Sequence, residues 1–173
     1  MVSLDLCKPA IGKVITSISD ILNVDAAVIN ERGHLVVSTE RYLKQKGENV
    51  HVPSIEFVLA KGQYVVDKPG SMEMCKGCRF LDSCPAKVEL LSSIKVANHA
   101  IGVVSLTSFT KEGQNRLSKH TERYQQILTE VSEMITAIVQ SHATRQTASS
   151  DDSMRLLEGA LDTVADAYFT FDR

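Results

Sequence analysis

Residues 90–109 read LLSSIKVANHAIGVVSLTSF. Two runs rich in β-branched and apolar side chains, 90–96 and 100–109, flank the short joint Ala97-Asn98-His99, and this pattern spells an antiparallel hairpin. Gly102 lies inside the second run, where a missing side chain marks a bulge or the close approach of another backbone. Upstream, residues 24–30 and 34–38 form a second pair of β-rich runs around Glu31-Arg32-Gly33, again a hairpin signature. Residues 63–67 (QYVVD) supply a further strand. The polar stretch 40–52, with Gly47, reads as a loop. Pro53 opens a short helix over 54–61 that turns Ile55, Val58 and Leu59 inward and ends at Gly62.

Helical periodicity brackets these strands. Over 8–22, Pro9 suits a first turn, and Ile11, Val14, Ile15, Ile18, Ile21 and Leu22 recur at three and four to make one apolar stripe, read as core packing. Residues 112–142 read as one long helix. Leu117, Thr121, Tyr124, Leu128, Val131, Ile135 and Ile138 step along it as a heptad seam, and Ile127, Met134 and Val139 widen the face. A face wider than a strict seam serves packing on the sheet and pairing with a second chain, or packing alone. The small polar run ATRQTASSDD, 143–152, reads as a linker. Met154, Leu156, Leu157, Ala160, Leu161 and Val164 then mark another amphipathic helix, and Ala167-Tyr168-Phe169-Thr170-Phe171 the start of a strand. A strand with nothing after it to pair with leads us to expect a fragment of a longer polypeptide, cut just inside a second domain.

The order is helix, two strands, short helix, strand, loop, two strands, long helix. It implies an α+β fold: an antiparallel sheet backed by N- and C-terminal helices, of GAF/PAS-like architecture, followed by a long signalling helix. The sheet face away from those helices is left to form a ligand pocket with its crossing loops. The expected organisation is a sensory domain over 5–142, a linker over 143–152 and the start of a second domain over 153–173.

Composition narrows the function. The formal net charge of the 173 residues is −2, so no global field draws in nucleic acid or an anionic membrane. The longest apolar runs are a few residues, against the roughly 20 needed to span a bilayer. The N-terminus MVSLDLCKPAIGK carries an early acid and no long apolar stretch, unlike a secretory signal. A cytoplasmic location is expected, where thiols stay reduced. The four cysteines are then metal ligands, redox groups or buried apolar residues rather than a disulfide framework.

Three of them sit in Met74-Cys75-Lys76-Gly77-Cys78-Arg79-Phe80-Leu81-Asp82-Ser83-Cys84-Pro85, within a loop over 71–85 that opens at the turn Lys68-Pro69-Gly70-Ser71. The spacing is C-x2-C-x5-C-P. Gly77 lets the chain turn between the first two sulfurs, so that both can face one centre. Lys76 and Arg79 place positive charge beside the sulfurs, which favours thiolate. Three chemistries follow: a zinc site, an iron–sulfur cluster, or a metal-free thiol switch. Zinc and clusters usually take four ligands. Cys7 is a candidate fourth if the N-terminus folds back, and is otherwise a small buried hydrophobe. His51 and His99 are further candidates. The five histidines show no metal-ligand spacing among themselves. Phosphate-binding glycine loops and nucleophile elbows are missing, which argues against an enzyme.

The run GSMEMCKGCRFLDSCPAKVE (70–89), followed by SIKVANHAIGVVSLTSF (93–109), resembles the N-terminal sensory domain of bacterial sigma-54-dependent transcriptional activators. In that family a GAF-like input domain carries a C-x2-C-x5-C loop, and a PAS domain, an AAA+ ATPase that contacts sigma-54 RNA polymerase, and a helix-turn-helix DNA-binding domain follow. The resemblance covers residues 5–173. It implies that Cys75, Cys78 and Cys84 are the family's loop cysteines, that 154–173 opens the PAS domain, and that ATP hydrolysis and DNA contact belong to the parent protein. The expected function is a signal-sensing input domain, working as a homodimer. It would respond to a small molecule, metal or redox signal and relay it through the helix carrying Leu117, Tyr124, Leu128, Val131, Ile135 and Ile138. The alternatives are a redox or metal-handling protein that uses the loop directly, and a zinc-stapled dimerisation module.

Overall fold

In the computed structural model, the described residues are 3–170, with side-chain surroundings for 3–145. The chain divides into two units, Met1–Val139 and Gln140–Arg173, and the site described below lies in the first. Helix α1 (Lys8–Leu22) leads into strands β1 (Asp25–Asn30) and β2 (Leu35–Ser38). Helices α2 (Glu40–Lys46) and α3 (Val52–Lys61) come next, then β3 (Gln63–Val66), β4 (Val88–Val96) and β5 (His99–Ser108). Helices α4 (Lys111–Lys119) and α5 (Thr121–Thr170) complete the order. The five strands form one sheet in the order β2-β1-β5-β4-β3, antiparallel at every pairing.

The hairpin over 90–109 is the centre of this sheet. Its turn places Ala97 and Asn98 at φ +47° and +65°, the two positive-φ positions of the tight turn that matches strand twist. Gly102 satisfies both sequence readings. The register shifts between Ile94 and Lys95, opposite it, and a Cβ on Gly102 would stand 2.5 Å from the Ile29 carbonyl oxygen and 2.6 Å from Leu4 Cδ1. The β1–β2 turn likewise holds Gly33 at φ +79°.

Alternation along the strands builds two cores, because successive side chains leave a strand on opposite faces. Leu90, Ile94, Val104 and Leu106 point to one face, where Ile11 and Ile15 of α1 and Leu117, Leu128, Val131 and Ile135 of α4 and α5 cover them. Leu91, Val103, Ala27 and Ile29 point to the other, where Tyr42 of α2 and Ile55 and Val58 of α3 cover them. The second core and the cysteine loop hold the candidate site.

Three expectations need correction. Residues 40–46 are helix, not loop: Thr39 caps it, its Oγ1 accepting from the Tyr42 N–H, and Gly47 ends it at φ +72°. The helix expected over 112–142 breaks at His120, φ −127°, ψ 37°. Leu117 and Tyr124 are seven residues apart and stay on one face across the break, so apolar spacing carries no sign of it. Beyond, α5 runs to Thr170 and takes in both the expected linker, 143–152, and most of the strand expected over 167–171; residues 171–173 lie outside the described residues.

The seam also changes meaning. Leu117, Tyr124, Leu128, Val131, Ile135 and Val139 are buried in the chain's own core, with Ile138 packed at its edge. Thr136 Oγ1 donates to the Lys95 carbonyl at 3.0 Å. Gln63 Nε2 donates to the Gln125 carbonyl at 2.9 Å and to Thr129 Oγ1 at 2.6 Å. The seam residues are thus used in holding the helix to the sheet, rather than offered to a second chain. Among the described residues, no helix is long and apolar enough to cross a membrane.

Two substitutions check the central hairpin. Gly102→Ala forces its new methyl onto backbone and should cost about 1–3 kcal/mol, as overpacking does. Ala97→Gly relieves a left-handed alanine and should raise stability by up to about 1 kcal/mol. Urea unfolding of both variants reads these signs.

Candidate functional site

A cavity of about 250 Å³ lies between the second sheet face and the cysteine loop. Ile29, Ile55, Val66 and Leu91 give it an apolar floor, Met74 and Phe80 come from the loop, and Lys46, His51, Arg79 and Glu89 bring polar groups. Cys75, Cys78 and Cys84 all line it.

The loop is fastened by side chains that reach its backbone, and by one of its own that reaches out. Ser54 Oγ donates to the Met74 carbonyl at 3.0 Å. His51 Nε2 meets the Lys76 carbonyl at 3.0 Å. Arg79 Nη2 donates to the Lys46 carbonyl and, at 3.0 Å, to the Asn49 carbonyl. The Lys46 carbonyl ends α2, where carbonyls lack helical partners and a cation is favoured. Gly47 makes room for this contact, since a Cβ there would come within 3.0 Å of Arg79 Nη2. Within the loop Gly77 turns at φ +78°, as its spacing suggested. At its base, Gly70 sits at φ +88° and packs so tightly that a Cβ would stand 2.9 Å from the Phe80 carbonyl oxygen and 3.0 Å from Cys84 Cβ.

Beneath the loop is a buried ion pair. Lys46 Nζ stands 2.9 Å from Glu89 Oε1, with the two side chains only 10% and 12% exposed. Lys46 Nζ also faces Cys84 Sγ at 3.7 Å and lies 5.7 Å from the Phe80 ring centroid. Glu89 shares strand parity with Leu91, so β4 aims it at the cavity. Lys46 lies four residues after the buried Tyr42, on the same inner face of α2. Burial alone would lower the Lys46 ammonium, but Glu89, then Tyr42 and Cys84, more than offset it and hold it above its ordinary range. Burial raises the Tyr42 phenol, and Glu89 adds to the rise. Burial also raises the Cys84 thiol, and Lys46 pulls against it without overcoming it.

These placements revise the sequence reading. Cys75, Cys78 and Cys84 come to one cavity, yet among the described residues no group of three or more His, Cys, Asp or Glu is placed to hold a metal ion. Cys7 is 3% exposed in the opposite core, with Leu4 and Ile11, and so falls under its small-hydrophobe reading. His51 is engaged with loop backbone, and His99 opens β5 in the hairpin rather than lining the cavity. Lys76 pairs with Glu73 at 3.1 Å on the surface, and Arg79 binds carbonyls. The cation that faces a sulfur is Lys46, 38 residues upstream of Cys84. Lys46, Glu89 and Tyr42 went unread because each looked ordinary in sequence. The only available signals were the Thr39 cap with Gly47, and a lone acid in an apolar strand.

The shifts have an alkaline signature. Cys84 and Tyr42 keep their protons in the fold above the ordinary values of 9.0 and 10.0 at which the unfolded chain loses them. Their contribution to stability should therefore be fully present below pH 9 and be lost as pH rises beyond it. Denaturant midpoints at pH 7, 9 and 10 measure this. At pH 8, Cys84 should also react with iodoacetamide several-fold more slowly than a free cysteine, because little of it is thiolate; peptide mass mapping gives the rate.

Comparison with known proteins places this architecture. No protein-family model matches the chain. A relative from Escherichia coli strain K12, described as a candidate uric acid sigma-54-dependent transcriptional regulator, UacR, is 23% identical over 128 residues, which is 72% of this chain and 22% of the relative. The chain thus spans about a fifth of that relative's length. Among solved structures, the nlh2 GAF domain of A. aeolicus in an inactive state matches with a TM-score of 0.54 at 13% identity, over 78% of this chain and 85% of that one. A GAF domain/HD domain protein from Geobacter sulfurreducens gives 0.49 at 14% identity, over 75% and 94%. The type II free methionine-R-sulfoxide reductase of Thermoplasma acidophilum gives 0.47 at 11%, over 80% and 96%. The five-stranded antiparallel sheet with its flanking helices is a GAF-like fold.

Proposed function

We propose that the chain is the signal-sensing input domain of a sigma-54-dependent transcriptional regulator, and that its signal is a small molecule bound in the cavity under the cysteine loop. The observation that carries this reading is the cavity itself: a mainly apolar pocket with a few convergent polar groups is the usual form of a ligand site. The regulator part rests on the likeness to the Escherichia coli relative, whose description also makes uric acid the first compound to test here. In this reading the downstream PAS, ATPase and DNA-binding parts belong to the parent protein, and the segment itself performs no catalysis.

The route from cavity to output runs through the sheet. Glu89 lies on β4, β4 pairs with β3, and Gln63 of β3 grips α5 at Gln125 and Thr129. A ligand shifts an equilibrium only if it binds two states with different affinity, and α5 is the element whose two settings would carry the message. Homodimer formation belongs to this reading as well. Among the described residues of α5, Met134 is a large apolar side chain 49% exposed and is offered for such pairing, since most of the seam is buried.

Metal, cluster or thiol chemistry at the loop is a second reading, favoured by the three cysteines on one cavity. Elemental analysis and absorbance of the chain purified without oxygen test it. Stoichiometric zinc, or iron with sulfide, would show that the sulfurs gather from their present places; metal-free protein would leave the loop as a wall of the cavity.

The first reading is tested by thermal shift against a small-molecule panel headed by uric acid, followed by hydrogen exchange. A ligand at about 100 times its Kd should add about 2.7 kcal/mol of stability and slow exchange in residues 121–139. Binding that leaves those amides unchanged would remove the relay, and failure of every compound would remove the sensor.

A further inference from the structure

Resting on the proposal that the cavity binds a small molecule, we infer that its ligand is a small cyclic amide, a lactam, imide or ureide ring that offers a carbonyl and an adjacent ring N–H to the Lys46–Glu89 pair. Two largely buried charges line the cavity, Lys46 and Glu89, with side chains 10% and 12% exposed. Each has hydrogen-bonding capacity left over. The Lys46 ammonium carries three N–H groups; one faces Glu89 Oε1 and another Cys84 Sγ, which leaves one donor. Lys46 Nζ meets Glu89 through Oε1, and the second carboxylate oxygen is the acceptor that the ligand would use. A donor and an acceptor therefore stand side by side in a mainly apolar pocket.

This pairing selects by charge as well as by shape. A carboxylate ligand could accept from Lys46 but would bring its own charge against Glu89. An ammonium ligand could pair with Glu89 but would meet Lys46. Like charges at close range in a water-poor site are strongly unfavourable. A neutral amide edge satisfies both groups, its carbonyl accepting from Lys46 and its N–H donating to Glu89, and disturbs neither. Arg79 keeps its positive charge, but its Nη2 is directed at the Lys46 and Asn49 carbonyls rather than at the pair. Size and walls point the same way. At about 250 Å³ the cavity lies below the span of roughly 300–1,000 Å³ usual for drug-sized ligands, which suits one or two fused rings. The Phe80 ring and the Ile55, Val66 and Leu91 side chains offer apolar surface to a flat ring.

Isothermal titration and ligand-observed NMR with uracil, hypoxanthine, 1,3-dimethyluracil and benzoate test this. Uracil or hypoxanthine should bind at least ten-fold more tightly than 1,3-dimethyluracil, which lacks the ring N–H, and benzoate should bind weakest. The double variant Lys46→Met/Glu89→Leu, which removes both charges and leaves neither unpaired, should retain its fold and lose the preference between uracil and 1,3-dimethyluracil. Equal binding of the two uracils by the unaltered chain, tighter binding of benzoate, or a preference that survives in the double variant would overturn the ligand class. If other panel compounds bind this cavity meanwhile, the sensor reading stands without it. Silence from every compound, panel included, overturns both.

Discussion

A buried ion pair, Lys46 with Glu89, is the constraint around which this molecule's second core is arranged. Removing two charges from water costs several kcal/mol per ion, and attraction across 2.9 Å offsets that cost only with good geometry. The geometry comes from distant segments. A capped two-turn helix brings Lys46 inward, and the parity of a central strand brings Glu89 to meet it. The cysteine loop then closes over both, with Cys84 beside the ammonium and Phe80 within reach of it. Such a pair is weak evidence for stability. Its position at the floor of a cavity suggests that it is kept for recognition.

The loop itself is held less by its cysteines than by backbone. Ser54, His51 and Arg79 each engage carbonyl oxygens that lie outside regular ladders, and Arg79 also closes the open end of α2. Because that same end carries Lys46, the loop and the ion pair are one mechanical unit. A ligand that displaced Lys46 by a fraction of an ångström would pull on the carbonyl that Arg79 holds. In the proposed relay, the same disturbance would pass from Glu89 into β4, and from β4 through β3 to the side chain that grips α5.

Much of the fold was legible because strands and helices announce themselves by period. The β4–β5 hairpin, the glycine turns at Gly33 and Gly77 and the stripe of α1 all read directly. The α2 helix did not, since seven mostly polar residues give little periodicity and only the Thr39 cap and Gly47 speak for it. The break at His120 was invisible because it preserves the apolar face. The site was half legible: the cysteine spacing led to the right loop, and three of its thiols do reach one cavity. The charge beside Cys84 was assigned to its sequence neighbours Lys76 and Arg79, whereas folding recruits Lys46 from far upstream. Burial then works on that thiol in the opposite direction to the one its basic loop suggested. Cys7 could be placed only by tertiary structure, which puts it on the far side of the sheet.

The most direct measurement is a double-mutant cycle on the pair, read by denaturant unfolding of the unaltered chain, Lys46→Met, Glu89→Leu and the double variant. Each single change strands a buried charge and should cost about 3–5 kcal/mol, while the double variant should lie within about 1 kcal/mol of the unaltered chain. Losses that simply add across the two positions would show that the side chains do not act as a pair, and would contradict the account.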